Sequence, residues 1–373
     1  MTVDRNLQAE PSPRQLSLWG DRGAPLVAAS DGKRLGGQGL SLPGGAPVIS
    51  TSASAVKADK VALQADMNVR AAFVALAHGG LDHLTANERA ILFGADPEAV
   101  HQMRIAIRRL RALLAAFAPQ LDGEAATFLR GELKWLQRRL GPARDWDVFL
   151  LGTVAPLLRR LPDEPGLAEM RDAAFDARRR AYLLVHRTLS ERRYARFLMR
   201  FRLWLDAMNL EERRSASADR SAPVAAFAAK LLGKRHRQLT RLGARRDLAE
   251  EEMHRLRLRA KNLRYAAEFF RPLYRGKPPR RFVKTLAALQ DRLGSLQDAV
   301  VGRGLVAQMA LPSVPSRKGA ENERRGGAPF GSLDQAIAMA VGFQTARIVD
   351  DMRRFKDVWP AFAGLKAFWR KTA

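Results

Sequence analysis

The sequence lacks cysteine, a long apolar run and a recognisable strand pattern. Because there is no cysteine, the chain can form neither disulfide bonds nor thiolate metal sites. No window approaches the roughly twenty apolar residues of a membrane span, and the N-terminus has no apolar core typical of a signal peptide. Period-two alternation of β-branched residues is nearly absent as well. These absences predict an all-α protein that is soluble and cytoplasmic.

Acidic residues are scarce relative to basic ones. The chain has 64 Lys and Arg against 38 Asp and Glu, which gives a net charge of +26. Such a field exceeds what solubility requires and implies a polyanionic partner, which could be a nucleic acid, an anionic membrane or a polyphosphate. Aromatic residues make up only 7% of the chain, and most occupy apolar faces. Base stacking usually needs exposed aromatic residues, so nucleic acid remains an alternative of the non-specific kind.

What the sequence does contain is a strongly amphipathic stretch at residues 100–117, introduced by the helix-start signal of Asp96 and Pro97. Its large apolar residues recur at helical spacing and predict a core-facing side. On the opposite side, four basic or protonatable residues fall within about 80° of one another by helical geometry. This first basic stripe consists of His101, Arg104, Arg108 and Arg111.

The same pattern occurs again at residues 253–270, at a shift of 153 residues. The second basic stripe consists of His254, Arg257, Lys261 and Arg264. The shift also aligns residues 133–141 with 286–294, and Asp145 with Asp298, without a gap. A constant shift over about fifty residues indicates duplication of one structural unit.

The helix after each stripe adds further basic residues. Lys134 and Arg138 are spaced i, i+4 after the first stripe, and Arg281 and Lys284 follow the second. A single residue of this kind is more often a solvated surface charge than a ligand contact. Together they would extend the two stripes into a larger basic surface, which suits a long and thin polyanion better than a duplex.

Motifs for catalysis and metal binding are weak. The sequence has no P-loop, no dinucleotide fingerprint and no legible Ser/His/Asp arrangement. Each stripe has one histidine without a second ligand at helical spacing, and the surrounding arginines would repel a cation. Asp145 and Asp298 are interpreted as helix N-caps, or as acids that orient a stripe arginine, rather than as general bases. We predict no enzyme activity, no cofactor and no metal site, with a histidine-based metal-chelating module as an alternative.

Shifts in composition divide the chain into a tail and a helical region. Residues 1–56 are rich in Gly, Pro and Ser and are predicted to be a disordered tail. Residues 57–373 are predicted to form one helical domain. Its first half is predicted at residues 57–210, a polar linker at 211–222 and its second half at 223–373. The second half contains a predicted flexible loop at 311–331.

Glycine and proline predict where several helices end. We expect the first helix, starting near Lys57, to end at Gly79 and Gly80, and the helices after the stripes to end at Gly141 and Gly294. The helices are expected to pack as two similar helical bundles related by internal duplication and a pseudo-two-fold axis. If that axis brings the stripes together, they would line one basic central groove.

The doubled stripe, each copy followed by an LQ-x-RLG-x-x-x-D segment, resembles the two halves of a CHAD domain, the conserved histidine α-helical domain. The resemblance extends from about residue 57 to the C-terminus, apart from residues 311–331. It implies two four-helix bundles with a basic groove, binding of inorganic polyphosphate, and association with polyphosphate granules and their proteins. The binding residues that it implies are the eight members of the two stripes. Many relatives carry a preceding CYTH domain, but residues 1–56 lack its Glu-x-Glu-x-Lys signature, which removes the only catalytic activity expected from the family.

Overall fold

The computed structural model describes residues 54–94, 96–121, 123–215, 223–245, 248–309 and 332–371. Within these ranges the regular structure is helical and no strand occurs, apart from a bridge between Asn68 and Pro223. The all-α prediction is therefore confirmed. Most of the predicted tail, the end of the predicted linker and all of the predicted loop at 311–331 lie outside the described residues. No helix in the described ranges has the length and apolarity needed to cross a membrane.

The α-helices are, in chain order, α1 (Val69–Ala86), α2 (Glu88–Phe93), α3 (Pro97–Ala116), α4 (Glu124–Phe149), α5 (Ala155–Arg160), α6 (Pro165–Ser190), α7 (Arg192–Ser215), α8 (Val224–Gly243), α9 (Glu250–Phe270), α10 (Lys277–Met309) and α11 (Ser332–Ala363). A π-helical turn, Leu150–Val154, joins α4 to α5. Short 3-10 turns follow α3, α9 and α11. The first stripe lies on α3 and the second on α9.

The first helix begins later than predicted and does not end at its glycines. It starts at Val69, where the Asn68 side chain accepts a hydrogen bond of 2.8 Å from the backbone N–H of Ala71. It then continues through Gly79 and Gly80 to Ala86. A Cβ atom at Gly80 would lie only 2.6 Å from a methyl group of Leu110, so this glycine permits close packing of α1 on α3.

The predicted helix ends at Gly141 and Gly294 are also wrong. Helix α4 runs through Gly141 and Pro142 to Phe149, and α10 runs through Gly294 to Met309. In both helices the buried apolar face continues past the glycine, so tertiary packing outweighs the local helix-breaking tendency. Asp145 and Asp298 therefore lie inside helices, which excludes the N-cap interpretation.

The structure also differs from the predicted unit boundaries. Helix α7 extends to Ser215, five residues into the predicted linker at 211–222. Inside the predicted tail, the backbone N–H of Ala55 donates to Asp96 Oδ2 at 3.2 Å, and that of Val56 donates to Asn87 Oδ1 at 3.0 Å. The residues just before position 57 are thus held against the N-cap residues of α3 and α2.

The stripe helices lie at the centre of the fold. Helix α3 packs against α1, α4 and α9, whereas α9 packs against α8, α10 and α3. The rings of Phe117 and Phe270, which occupy equivalent positions of the repeat, are 6.0 Å apart, and Phe227 joins them at 4.8 and 6.0 Å. This buried aromatic contact ties the two stripe helices together and fixes the relation between their basic faces.

Candidate functional site

Helix α3 presents its basic face because its opposite face is completely buried. The Asp96 side chain caps the helix by accepting a 2.9 Å hydrogen bond from the Glu98 backbone N–H. Met103, Ile107 and Leu110 on the apolar face are at most 1% exposed. The four residues of the first stripe are half-buried rather than solvent-exposed. Such side chains lose part of their hydration, which strengthens their interaction with any charge that reaches them.

Cations of the two stripes influence one another across the contact between α3 and α9. Burial, followed by the positive charges of Arg257 and Arg108, lowers the pKa of Lys261 to about 7. Burial lowers the pKa of Arg257 too, and Arg108 of the other stripe adds to that effect. We term the interacting cations the basic cluster: Arg104, Arg108, Arg144, Arg257 and Lys261.

Two repeat-equivalent carboxylates, Asp145 and Asp298, accompany the basic cluster. Arg104 Nη2 lies 3.7 Å from Asp145 Oδ1, which supports the interpretation of this acid as a partner of a stripe arginine. Burial raises the pKa of both carboxyl groups, and nearby arginines oppose that rise. Asp298 also raises the pKa of Asp145, so the two acids are close enough to repel each other.

Several nitrogen atoms of the basic cluster have no hydrogen-bond acceptor in the described structure. Among the described residues, Arg104 Nη1, Arg108 Nε and Arg257 Nε are buried and have no hydrogen-bond partner. Buried donors are normally satisfied, so three unpaired guanidinium atoms in one cluster need an explanation. A guanidinium group is a planar donor that matches the oxygens of a phosphate, and an oxyanion chain would satisfy these donors.

The two stripe histidines have different environments. Burial and the charges of Arg144, Arg108 and Arg104 lower the pKa of His101 to about 3, so this imidazole is neutral at pH 7. His254 is exposed, and its Nδ1 lies 2.6 Å from Gln297 Oε1. An open cavity of about 410 Å³ lies beside it, lined by Glu250, Glu251, Met253, His254, Arg257, Leu293, Leu296, Gln297 and Val300.

The remaining predicted residues lie at the edges of the site. Arg111 donates to the side chain of Gln137, and Arg264 donates to Glu268 Oε1 at 2.8 Å, so both are engaged by neighbours. Four further predicted residues are exposed on α4 and α10: Lys134, Arg138, Arg281 and Lys284. The structure joins Arg104, Arg108, Arg257 and Lys261 into one cluster, whereas a binding role for the exposed four stays a prediction.

Two residues near the site were missed by sequence reasoning. Arg144 belongs to the basic cluster, but the repeat replaces it with Gln297, so the doubled pattern does not mark it. Arg347 of α11 donates to the Gly152 carbonyl at 2.9 Å, and its charge stabilises the ionised form of Asp298. Arg347 has no basic counterpart in the first half, and only the fold brings it to the π-helical turn.

Metal binding at the stripe histidines is an alternative function that the sequence leaves open. In the part of the chain that the structure describes, no group of three or more His, Cys, Asp or Glu residues could hold a metal ion. The neighbours of His101 are arginines, which disfavour a cation.

Two curated relatives come from Mycobacterium tuberculosis. They are "Uncharacterized protein MT2285" of strain CDC 1551 / Oshkosh and "Uncharacterized protein Rv2226" of strain ATCC 25618 / H37Rv. Each is 31% identical over 234 residues, covering 57% of this chain and 41% of the relative. The chain therefore spans about two fifths of the length of these relatives.

Two solved structures have a similar fold. The crystal structure of the CHAD domain from the plant Ricinus communis matches with a TM-score of 0.69 and 29% identity, covering 84% of this chain and 98% of that one. PptA from Streptomyces chartreusis matches with a TM-score of 0.59 and 17% identity, covering 79% and 100%. The second likeness concerns the fold alone.

The sequence model of the CHAD domain matches residues 75–307, which include both basic stripes and the two acids Asp145 and Asp298. The match covers more than half of the chain and agrees with the resemblance that the doubled motif indicates. The chain belongs to the CHAD domain family.

Proposed function

We propose that the protein binds inorganic polyphosphate through the basic cluster and associates with polyphosphate granules. The proposal rests mainly on one observation, that Arg104 and Arg108 of the first stripe lie close enough to Arg257 and Lys261 of the second to affect their charges. All four side chains are half-buried, and the three arginines have N–H groups without a hydrogen-bond partner in the described structure. The proposed role is binding without catalysis. Inorganic polyphosphate is also the ligand that the family resemblance implies.

We infer further that two duplicated helical bundles place the stripes along one shared groove. Three features support this arrangement. Helix α1 packs on α3 as α8 packs on α9, and α3 packs on α4 as α9 packs on α10. Helices α3 and α9, which carry equivalent residues, also contact each other. The charge coupling between the stripes is the third feature.

The chemistry of the cluster favours a thin phosphate chain. Each phosphate of such a chain exposes oxygens that two N–H groups of one guanidinium can bind together. Because the stripe cations are half-buried, a narrow chain reaches them more easily than a duplex, whose phosphates lie on a wide cylinder. A charge-assisted hydrogen bond contributes about 1.5–3 kcal/mol, so a few such contacts suffice for tight binding that salt can still weaken.

The proposal is tested by binding to long-chain polyphosphate in increasing salt, with duplex DNA as competitor. The double variant Arg108→Gln/Lys261→Gln removes one cation of the cluster from each stripe. Its matched control, Arg196→Gln/Lys356→Gln, removes the same two charges from exposed positions on α7 and α11. We expect the cluster variant to lose at least about tenfold in affinity, since about 1.4 kcal/mol is a factor of ten. The control should stay within about twofold.

Three results would contradict the proposal. The first is equal loss in the cluster variant and the control, because then only the total charge matters. The second is displacement of polyphosphate by DNA at equal phosphate concentration, which would assign the +26 charge to a diffuse, nucleic-acid-binding field. The third is loss of binding on chelation, which would favour the metal-chelating alternative.

A further inference from the structure

Two acidic residues lie at the basic cluster, although negative side chains are unexpected in a site that binds an anion. Asp145 and Asp298 occupy equivalent positions of the repeat in the C-terminal halves of α4 and α10, and both carboxylates favour the charged forms of cations in the basic cluster. The Arg104 side chain is 17% exposed and that of Asp145 is 37% exposed, at a separation of 3.7 Å. This distance corresponds to an ion pair without a good hydrogen bond. Arg104 Nη1 is left free of any protein acceptor in the described structure.

The acids are not explained by helix capping or by a closed structural ion pair. Both lie inside helices, far from the N-terminal ends that an acidic side chain caps. A structural pair in this protein looks different, as at Asp147, which is 2% exposed and accepts bonds of 2.7 Å from Arg178 and 2.8 Å from Tyr182. By comparison, Asp145 holds its arginine loosely.

We propose that Asp145 and Asp298 are internal counter-ions that compete with the polyanion for the basic cluster and thereby limit its affinity. This inference rests on the proposed function, since it concerns the same site. In the free protein the two carboxylates offset the repulsion among the clustered cations. When phosphate oxygens bind those cations, the carboxylates become like-charged neighbours of the ligand. The site would then be stable when empty and able to release its ligand.

The two acids would change both the affinity and the ligand preference of the basic cluster. A cluster of five cations without acids would bind any polyanion more tightly but would repel itself when no ligand is bound. With the acids present, a ligand must compete with two internal carboxylates, so a short or weakly charged anion offsets this cost less well than a long chain that contacts all the cations. The acids would thus favour long polyphosphate over small anions such as inorganic phosphate.

The test is the double variant Asp145→Asn/Asp298→Asn, which keeps the shape of both side chains and removes their charge. Its matched control, Asp206→Asn/Asp357→Asn, makes the same change in net charge at exposed positions on α7 and α11. Affinity for long-chain polyphosphate is measured against salt, once with EDTA and once with Mg²⁺. The wild type and Arg108→Gln/Lys261→Gln are measured alongside, to establish that the ligand uses this site.

We expect the asparagine variant to bind roughly tenfold more tightly, because like charges beside a bound ligand oppose binding strongly. Its affinity should also fall more steeply with salt, since more cations become available to phosphate. The control should change by less than about twofold. The melting temperature of the free asparagine variant should be lower than that of the wild type, and polyphosphate should restore it.

Unchanged or weaker binding in EDTA would overturn the inference, because the acids would then only position the arginines. Weaker binding confined to Mg²⁺ would also overturn it and would assign the acids to a cation carried by the ligand. If the double variant does not fold, Asp145→Asn alone must show a gain in affinity or the inference fails. Failure of the proposed function has a separate signature, namely that neither the wild type nor the control binds polyphosphate.

Discussion

The two basic stripes have matching residues but unequal surroundings. In the first stripe, His101 is half-buried among arginines, and its pKa is lowered to about 3. In the second, His254 is exposed beside Gln297 and an open cavity of about 410 Å³. Burial is the larger cause of the low pKa of His101, and the charge of Arg144 adds to it. The repeat has Gln297 at the position that corresponds to Arg144, so the second stripe lacks this charge. The two stripes thus have similar residues in different environments.

A second difference lies behind the stripes. In the first half, helix α6 supplies Arg178 and Tyr182, which cover the buried carboxylate of Asp147. At the equivalent position of the second half stands Val300, which lines the cavity next to His254. The helix next to the first stripe therefore has a closed network of polar side chains, whereas the helix next to the second stripe borders an open cavity. We infer that the first stripe is the more rigid half of the site.

The largest expected effect comes from breaking the closed network of the first half. Replacing Arg178 by Met leaves the carboxylate of Asp147 buried without its cation and should lower the free energy of unfolding by about 3–5 kcal/mol. Chemical denaturation measures this loss, and adding Asp147→Asn should recover part of it. Val300→Ala, at the position of the repeat equivalent to Asp147, should cost no more than about 1 kcal/mol. Equal costs at the two positions would remove the proposed difference in rigidity.

A smaller effect is expected from pH, through Lys261 of the second stripe. Its pKa is lowered to about 7 in the free protein, and a bound polyanion favours the protonated form. The ligand therefore gains affinity below that pKa and loses it as pH rises past 7, by about one charge-assisted contact of 1.5–3 kcal/mol. Isothermal titration calorimetry in buffers of different ionisation enthalpy detects the proton uptake. Lys261→Arg should flatten the profile between pH 6 and about 9, because arginine stays charged; an unchanged slope in this variant would assign the effect to another group.

A matched pair of glycine substitutions probes how tightly the two stripes pack. A Cβ atom at Gly141 would lie 3.3 Å from Arg104 Nη1, whereas Gly294 has open space around the same position. Gly294→Ala should therefore gain about 1 kcal/mol of stability from helix propensity alone. Gly141→Ala should gain less, and it should weaken polyphosphate binding by displacing Arg104. If the two substitutions changed melting temperature and affinity equally, Arg104 and its repeat equivalent Arg257 would have the same space around them, and the predicted difference in packing would be wrong.

The smallest effect tests the origin of the difference between the histidines. The charge of Arg144 helps to lower the pKa of His101, so Arg144→Gln should raise that pKa towards the ordinary value of 6.5 without restoring it, because burial is the larger cause. NMR titration of the imidazole signal, assigned by its loss in His101→Gln, measures the change. The wild-type signal should not titrate between pH 5 and 8. A normal titration in the wild type would mean that His101 is hydrated.

The helical content, the doubled stripe and the family could be predicted from sequence because they depend on local periodicity and spacing. Period-3.6 apolar residues require a helix that buries one face, and the face left over carries the basic residues by geometry alone. The same reasoning failed at Gly79, Gly141 and Gly294, where a glycine suggests a helix end. In the fold, the apolar faces of these helices continue past the glycines, and their burial outweighs a propensity cost of about 1 kcal/mol.

The sequence by itself determined which residues are basic, their helical faces and their repetition, since these follow from residue order. Only the tertiary structure decided which cations meet, because Arg108 and Lys261 become neighbours through the packing of α3 on α9. It also decided that His101 is neutral, that Arg144 and Arg347 approach the site, and that Asp145 and Asp298 stand among arginines. Burial and charge–charge distance set these properties, and both depend on contacts between residues that are remote in the chain.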